Sequence, residues 1–214
     1  MASINQLTLY QRPDCPFCWK VRLFLFESEL PVNEIQVELG KKHPDVVSLN
    51  PSATVPVLVA GELVVYDSAL IVEYLLDKYS EINLIDGTPE ERAVIREIQK
   101  YSDTSLGKVL FPYIKYAREN PNSKVDEQLK NSTAKGWLKA QSYLGEKLGN
   151  KDFFGTEFSV ADCALIPRFT LANAYGFKVD DQFSNLEKWY ARCMERPSFK
   201  KAFPKTLLQK DNPQ

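Results

Sequence analysis

Two thiols stand close together in this chain, at Cys15-Pro16-Phe17-Cys18, just after the apolar run from Ile4 to Tyr10. Leu7 and Leu9, flanked by Ile4 and Tyr10, predict a short buried strand, and Gln11-Arg12-Pro13-Asp14 a loop. Pro16 suits the first turn of a helix, where its missing N–H has no partner to lose. On that helix Cys15 and Cys18, three apart, share one face. Cys15 then lies where unpaired backbone N–H groups and the positive end of the helix dipole favour an anion. A thiolate is such an anion, so its pKa should fall and its reactivity at neutral pH rise. Cys18 is placed to close a disulfide with it. Two other readings of the pair exist: buried structural cysteines, or half of a zinc site. The sequence has no second close Cys pair, and its single His43 is remote, so a metal is not expected. The strand–loop–helix context favours redox or nucleophilic chemistry.

Composition bounds what surrounds this pair. The chain has 214 residues, enough for two domains or one large one, and 44% are hydrophobic, which allows a full core. Lys and Arg number 27 against 28 Asp and Glu, a net charge of -1. No strongly basic surface is implied, so nucleic acid is not an expected partner. Four cysteines, two of them in one C-x-x-C, do not read as a disulfide framework, and a reducing compartment fits better. No basic segment followed by an apolar stretch opens the sequence, so no secretory leader is expected. No apolar run approaches the roughly 20 residues that span a bilayer. The expectation is a soluble cytoplasmic protein with no membrane attachment.

The elements that must position the thiols follow in order. The first helix should run from about Pro16 to Glu29, with Lys20, Arg22 and Glu27 facing water, and Pro31 marks the break. Asn33 to Leu39 alternates, with Ile35, Val37 and Leu39 on one side, and reads as a half-buried strand. A βαβ unit with a short helix implies parallel pairing and a right-handed crossover. Gly40 to Thr54 is polar, with one helical turn near Pro44–Leu49. Pro56 fits the start of a strand through Ala60, where a cis bond would expose the backbone of Val55. Ala60-Gly61-Glu62 reads as a hairpin turn and Leu63 to Tyr66 as its second strand. Asp67 or Ser68 can cap the helix that follows.

Beyond residues 81–88, a linker ending in Asp86-Gly87-Thr88, everything reads as helix. Thr88-Pro89-Glu90-Glu91 joins a cap, Pro at the first helical position and an acid three residues on. That helix should reach Glu119, bent at Pro112. Val125 to Leu148 is the next. Ser159-Val160-Ala161-Asp162 has capping-box form and opens an apolar helix through about Ala174, kinked by Pro167. Asn185 to Glu195 follows, stopped by Arg196-Pro197-Ser198-Phe199. Cys163 and Cys193 lie on apolar stripes and read as small core residues.

Taken together, Cys15-Pro16-Phe17-Cys18, Val55-Pro56, Asp67-Ser68, the Ser159–Asp162 box and Arg196-Pro197-Ser198-Phe199 resemble the cytosolic glutathione transferase superfamily. The resemblance covers nearly the whole chain. It implies an α/β thioredoxin-like N-terminal domain of βαβ-ββα order over residues 1–80, the linker at 81–88, and an all-α helical bundle domain over 89–214. It also implies a two-fold homodimer. The C-P-F-C form looks most like the cysteine-type members, such as omega-like transferases, dehydroascorbate reductases and larger glutaredoxins.

By the same resemblance, Cys15 would be the nucleophile, forming a mixed disulfide with glutathione as cosubstrate. Cys18 leaves the one-thiol and two-thiol routes open. Phe17 belongs to the glutathione-binding motif. Val55 would pair its backbone with the cysteinyl part of glutathione, and Pro56 would be cis and shape that site. Asp67 and Ser68 would bind the γ-glutamyl end at a helix N-terminus. Lys42, or Lys41 beside it, would meet the glycyl carboxylate. Arg12 could hold a thiolate by charge, against plain solvation of a loop arginine. Tyr10 could be a rival proton donor, but packing is the favoured reading. Phe111, Tyr113 and Tyr116 could line an acceptor pocket, against the ordinary core role of an aromatic stripe.

The resulting expectation is glutathione-dependent thiol transfer or reduction on a small disulfide or electrophilic substrate, without metal. Conjugation of glutathione to electrophiles is the second enzymatic reading. A non-catalytic protein of the stringent-starvation type, which binds RNA polymerase, is the third. The intact Cys pair argues against a pure binding module, which has no need of it.

Overall fold

The computed structural model describes residues 7–38, 40–121 and 123–208. Ile4 and Leu39, read above as strand residues, lie outside the described residues. The chain divides into two compact units: Met1–Leu84 with Arg196–Gln214, and Ile85–Glu195.

The first unit is a four-stranded mixed sheet with helices. β1 (Leu7–Gln11) pairs in parallel with β2 (Val32–Gln36), from Leu7 opposite Val32 to Gln11 opposite Gln36. Helix α1 (Pro16–Glu27) makes the crossover. α2 (Pro44–Leu49) precedes β3 (Val57–Ala60), which pairs antiparallel with β1 on its other side. β3 in turn pairs antiparallel with β4 (Leu63–Tyr66), giving the order β2-β1-β3-β4. Gly61 supplies the positive φ that the tight β3–β4 turn requires. α3 (Ser68–Lys78) follows β4. β1, paired on both sides, has Leu7 and Leu9 fully buried. Its C-terminal end therefore delivers the loop before Cys15 from one of the two inner strands of the sheet.

Two expectations about this unit are corrected. Lys20 and Arg22 do not face water; both are buried, and Glu27 is half-buried. The segment from Arg196, expected to continue the helical domain to residue 214, groups instead with the first unit. It forms α9 (Pro197–Ala202), which packs on α1, and α10 (Lys205–Leu208). The reason is a set of contacts that sequence spacing does not reveal. Arg196 pairs with both carboxylate oxygens of Glu27, at 2.7 and 2.6 Å, and Ser198 Oγ donates to the same carboxylate. Phe199 and Phe203 close on Trp19, with ring centroids 6.2 and 5.7 Å away. An arginine held bidentately by a carboxylate is geometrically specific as well as strong.

The second unit is helical throughout. α4 (Pro89–Tyr101) carries the expected capping box between Thr88 and Glu91. The run to Glu119 is not uniform: a π-helical turn, Ser102–Leu106, separates α4 from α5 (Gly107–Glu119). Inside that turn Ser102 Oγ donates to the carbonyl of Ala164, 2.7 Å away. α6 (Glu127–Leu148) is capped by Asp126, and α8 (Ser184–Glu195) closes the unit. At the centre lies α7 (Val160–Ala174), whose residues Val160 to Ala172 are all buried. Cys163 on α7 and Cys193 on α8 are core residues, as read above.

Asp162 organises this core. Its carboxylate accepts four hydrogen bonds: from the N–H of Phe154, from Trp189 Nε1, and from both N–H and Oγ of Ser159. Burial pushes its carboxyl above the ordinary range, and the four donors pull against that shift. Asp162→Asn would turn an NH2 group toward the Ser159 donors and leave buried hydrogens facing one another. We expect it to lower unfolding free energy by about 2 kcal/mol, read as a reduced urea midpoint at unchanged slope.

Candidate active site

Cys15 is the N-cap residue of α1, in extended backbone conformation, with Pro16 opening the helix. Its own N–H donates to the carbonyl of Arg12, 3.2 Å away, and its carbonyl accepts from Trp19 at 2.9 Å. The loop is thus folded back against the start of α1, where the N–H groups of Phe17 and Cys18 act on the Cys15 thiol. All four cysteines are in the reduced, unbridged form.

The two thiols are electrostatically unequal. The S–H of Cys18 donates to Cys15, and this is the largest influence on the latter; the N–H groups of Cys18 and Phe17 and the charge of Arg12 act in the same direction. Burial opposes them, and the net result holds the Cys15 thiol down at about 6. Cys18 moves the other way, well above the ordinary thiol range: burial raises it, and so does giving its proton toward a neighbouring anion. Cys15 retains 7% exposure and Cys18 none. Cys15 is therefore the more acidic of the two thiols and lines a cavity, while Cys18 is a buried acid that keeps its proton.

A cavity of about 380 Å3 opens at Cys15. Its lining includes Arg12, Lys41, Lys42, His43, Thr54 and Val55, four of them basic side chains. Lys41 is paired with Glu38 at 2.6 Å, and Arg12 with Asp14 at 2.7 Å. Of the residues singled out in the sequence, Arg12, Cys15, Lys41, Lys42 and Val55 are brought to this one cavity. The Val55–Pro56 peptide is cis. Phe17, Cys18, Pro56, Asp67 and Ser68 lie outside the lining. Asp67 caps α3, accepting from the N–H groups of Ala69 and Leu70, and Ser68 is buried as the first residue of that helix. Asp67 adopts φ 76, a left-handed value that costs a non-glycine residue about 1–3 kcal/mol and concentrates at functional positions.

Tyr10 is a packing residue. It is buried in a small cluster with Val46 and Val57, and its hydroxyl donates to Asp45 at 3.0 Å. Burial, then that carboxylate, raises its pKa, so it is a poor proton donor. His43, which drew no functional reading from the sequence, sits edge-on to Tyr10 with centroids 5.5 Å apart and lines the cavity. A lone histidine in an irregular loop carries no periodic signal, so its place at the cavity cannot be read from spacing.

Phe111, Tyr113 and Tyr116 do not form one wall. Phe111 is 61% exposed, Tyr113 is buried edge-on against Phe177, and Tyr116 hydrogen-bonds the carbonyl of Lys124. At about 100° per residue, Phe111 and Tyr113, two apart, face opposite ways, while Tyr113 and Tyr116, three apart, lie on one side of the helix. Among the described residues, no helix is long and apolar enough to cross a membrane, and no cluster of His, Cys, Asp and Glu is placed to hold a metal.

Residues 9–83 match the family profile described as Glutathione S-transferase, N-terminal domain, and residues 101–197 that described as Glutathione S-transferase, C-terminal domain. Glutathione S-transferase Z2 of Arabidopsis thaliana is 31% identical over 221 residues, spanning 97% of this chain and 93% of that protein. FtsZ-localized protein A of Caulobacter vibrioides is 26% identical, over 90% of this chain and 89% of its own. Among solved structures, FzlA from C. crescentus superposes with TM-score 0.83 at 26% identity, covering 92% of this chain and 91% of that one. A glutathione S-transferase from the Antarctic clam Laternula elliptica gives 0.80 at 25%, covering 95% and 94%. On sequence profile, full-length relatedness and fold alike, the chain belongs to the glutathione S-transferase family.

Proposed function

We propose that the protein is a glutathione-dependent thiol transferase acting through Cys15. The observation that carries this reading is a thiolate at the N-terminus of α1, its pKa held at about 6, on the wall of a cavity with Arg12, Lys41, Lys42 and His43. Glutathione is an anionic tripeptide with a carboxylate at each end, and a basic cavity complements it. Lys42 faces the glycyl carboxylate in this reading, Val55 the backbone of the cysteinyl residue, and the α3 N-terminus with Asp67 and Ser68 the γ-glutamyl end.

The reaction has two balanced exchanges. The Cys15 thiolate attacks the glutathione sulfur of a mixed disulfide, forming Cys15–S–S–glutathione and releasing the substrate as a thiolate that takes up a proton. A second glutathione thiolate then attacks the glutathione sulfur, freeing the Cys15 thiolate and leaving glutathione disulfide. Cys18, buried and protonated, is a slow resolving group, so glutathione does this work.

Two observations favour other readings. Glutathione S-transferase Z2 of Arabidopsis thaliana carries that name, which fits conjugation to electrophiles. A stringent starvation protein A homolog of Coxiella burnetii is 26% identical over 94% of this chain, which fits a binding module. Turnover on a glutathionylated peptide, dehydroascorbate and an aryl halide separates these. Thiol transfer predicts rapid release of glutathione from the peptide and little conjugation of the halide. The reverse ratio supports conjugation, and neither activity combined with no retention on glutathione resin supports a binding module.

A further inference from the structure

Arg22, on α1 and expected at the surface, is buried among main-chain carbonyls. Its Nη1 donates to Gln11 Oε1 and, at 3.4 Å, to the carbonyl of Arg12. Its Nη2 donates to the carbonyl of Pro13 and to that of Ala202, each at 2.8 Å. One guanidinium thus joins the end of β1, the loop before Cys15, and the last residue of α9. The Arg12 carbonyl is shared, because Cys15 N–H donates to it too. Behind the group, Gln11 Nε2 passes the network to Glu34 on β2 at 3.1 Å. The segment that holds Ala202 is itself fixed by Arg196 and Ser198 on Glu27 and by Phe203 on Trp19.

We propose that Arg22 is a positioning residue for the active-site thiol, tying the Arg12–Pro13 loop to the C-terminal segment so that Cys15 keeps its place over the first turn of α1. The proposal deepens the function given above and rests on Cys15 being the reactive group. A buried guanidinium with planar, forked donors can hold three carbonyls at once; an ammonium cannot reproduce that geometry. Without the fork, residues 12–14 are free to relax. Arg12 then moves, and so does the angle at which Sγ meets its donors. The charge of Arg22 also favours anionic sulfur, because both thiols lie within its electrostatic reach, together with Asp14 and Glu34. On the cavity side, Cys15 faces Arg12, Glu38, Lys41, Lys42 and His43. Of those groups, only Arg12 stands on the loop that Arg22 holds.

The test is the pH dependence of Cys15 alkylation by iodoacetamide in the full chain, read by peptide mass, for wild type, Arg22→Lys, Arg22→Gln and Phe203→Ala, with a thermal melt on each. We expect the midpoint to rise by roughly half a pH unit in Arg22→Gln, about threefold less thiolate at pH 5, with a smaller rise in Arg22→Lys. Phe203→Ala leaves Arg22 intact and loosens the segment that holds Ala202. It should move the midpoint the same way and keeps the question open to test if an Arg22 variant does not fold. A merely structural role lowers the melting temperature and leaves the midpoint in place. Folded Arg22→Lys with a wild-type midpoint, or a destabilised Phe203→Ala with an unmoved one, would overturn the proposal. A wild-type midpoint in the ordinary thiol range would instead sink the reading of the site itself.

Discussion

Cys15→Ser is expected to reduce disulfide exchange by on the order of 10^3-fold or more, because a hydroxyl stays protonated at neutral pH where this thiol does not. The fold should be unaffected, since serine keeps the N-cap role and nearly the same volume. The variant retains a hydroxyl over the first turn of α1, which can donate to a glutathione thiolate, so some conjugation of electrophiles should emerge as reduction disappears. Steady-state rates on a glutathionylated peptide and on an aryl halide measure both halves. Equal loss of both would mean that serine no longer supports glutathione binding. Retention of disulfide reduction would remove Cys15 from the mechanism.

The second large effect is expected at Cys18, and it depends on which atom replaces the sulfur. The Cys18 S–H is the foremost cause of the low Cys15 pKa, while burial works against the remaining donors. Cys18→Ala removes that donor, and the Cys15 midpoint should return toward the ordinary thiol value of about 8.5. At pH 6 the thiolate fraction, and with it the alkylation rate, then falls by roughly a hundredfold. Cys18→Ser keeps an O–H in the same place and should hold the low midpoint. It should also keep most turnover in excess glutathione, because glutathione resolves the mixed disulfide. What it loses is reversible protection under oxidant, which needs the internal disulfide. The sign with pH is fixed: Cys15 reactivity is full above its midpoint and is lost as pH falls through about 6. If Cys18→Ser loses nearly all turnover with its fold intact, the dithiol route carries the reaction.

How much of this was legible from the residues follows a physical division. Local signals sufficed for the cysteine helix, the hairpin around Gly61 and the capping boxes at Thr88 and Ser159, because capping, turn and periodicity rules act over a few residues. The unequal thiols could be anticipated from their distance to the helix end. Arg22 and Glu27 could not be placed, because what covers them arrives from residues 196–203, about 170 positions later in the chain. A charged residue on an otherwise apolar helix reads as solvated until a distant partner is known. The π turn at Ser102–Leu106 was equally hidden, since its residues carry ordinary helical spacing. His43 joined the cavity only through the path of the loop around α2.

The central claim is that Cys15 exchanges with glutathione through a covalent disulfide. The direct measurement is intact and peptide mass after brief exposure of the reduced protein to glutathione disulfide at pH 7, followed by addition of glutathione. A single glutathione adduct should form on Cys15, with Cys163 and Cys193 unmodified, and it should vanish when glutathione is added. An unmodified Cys15, or an adduct carried by another cysteine, would contradict the account.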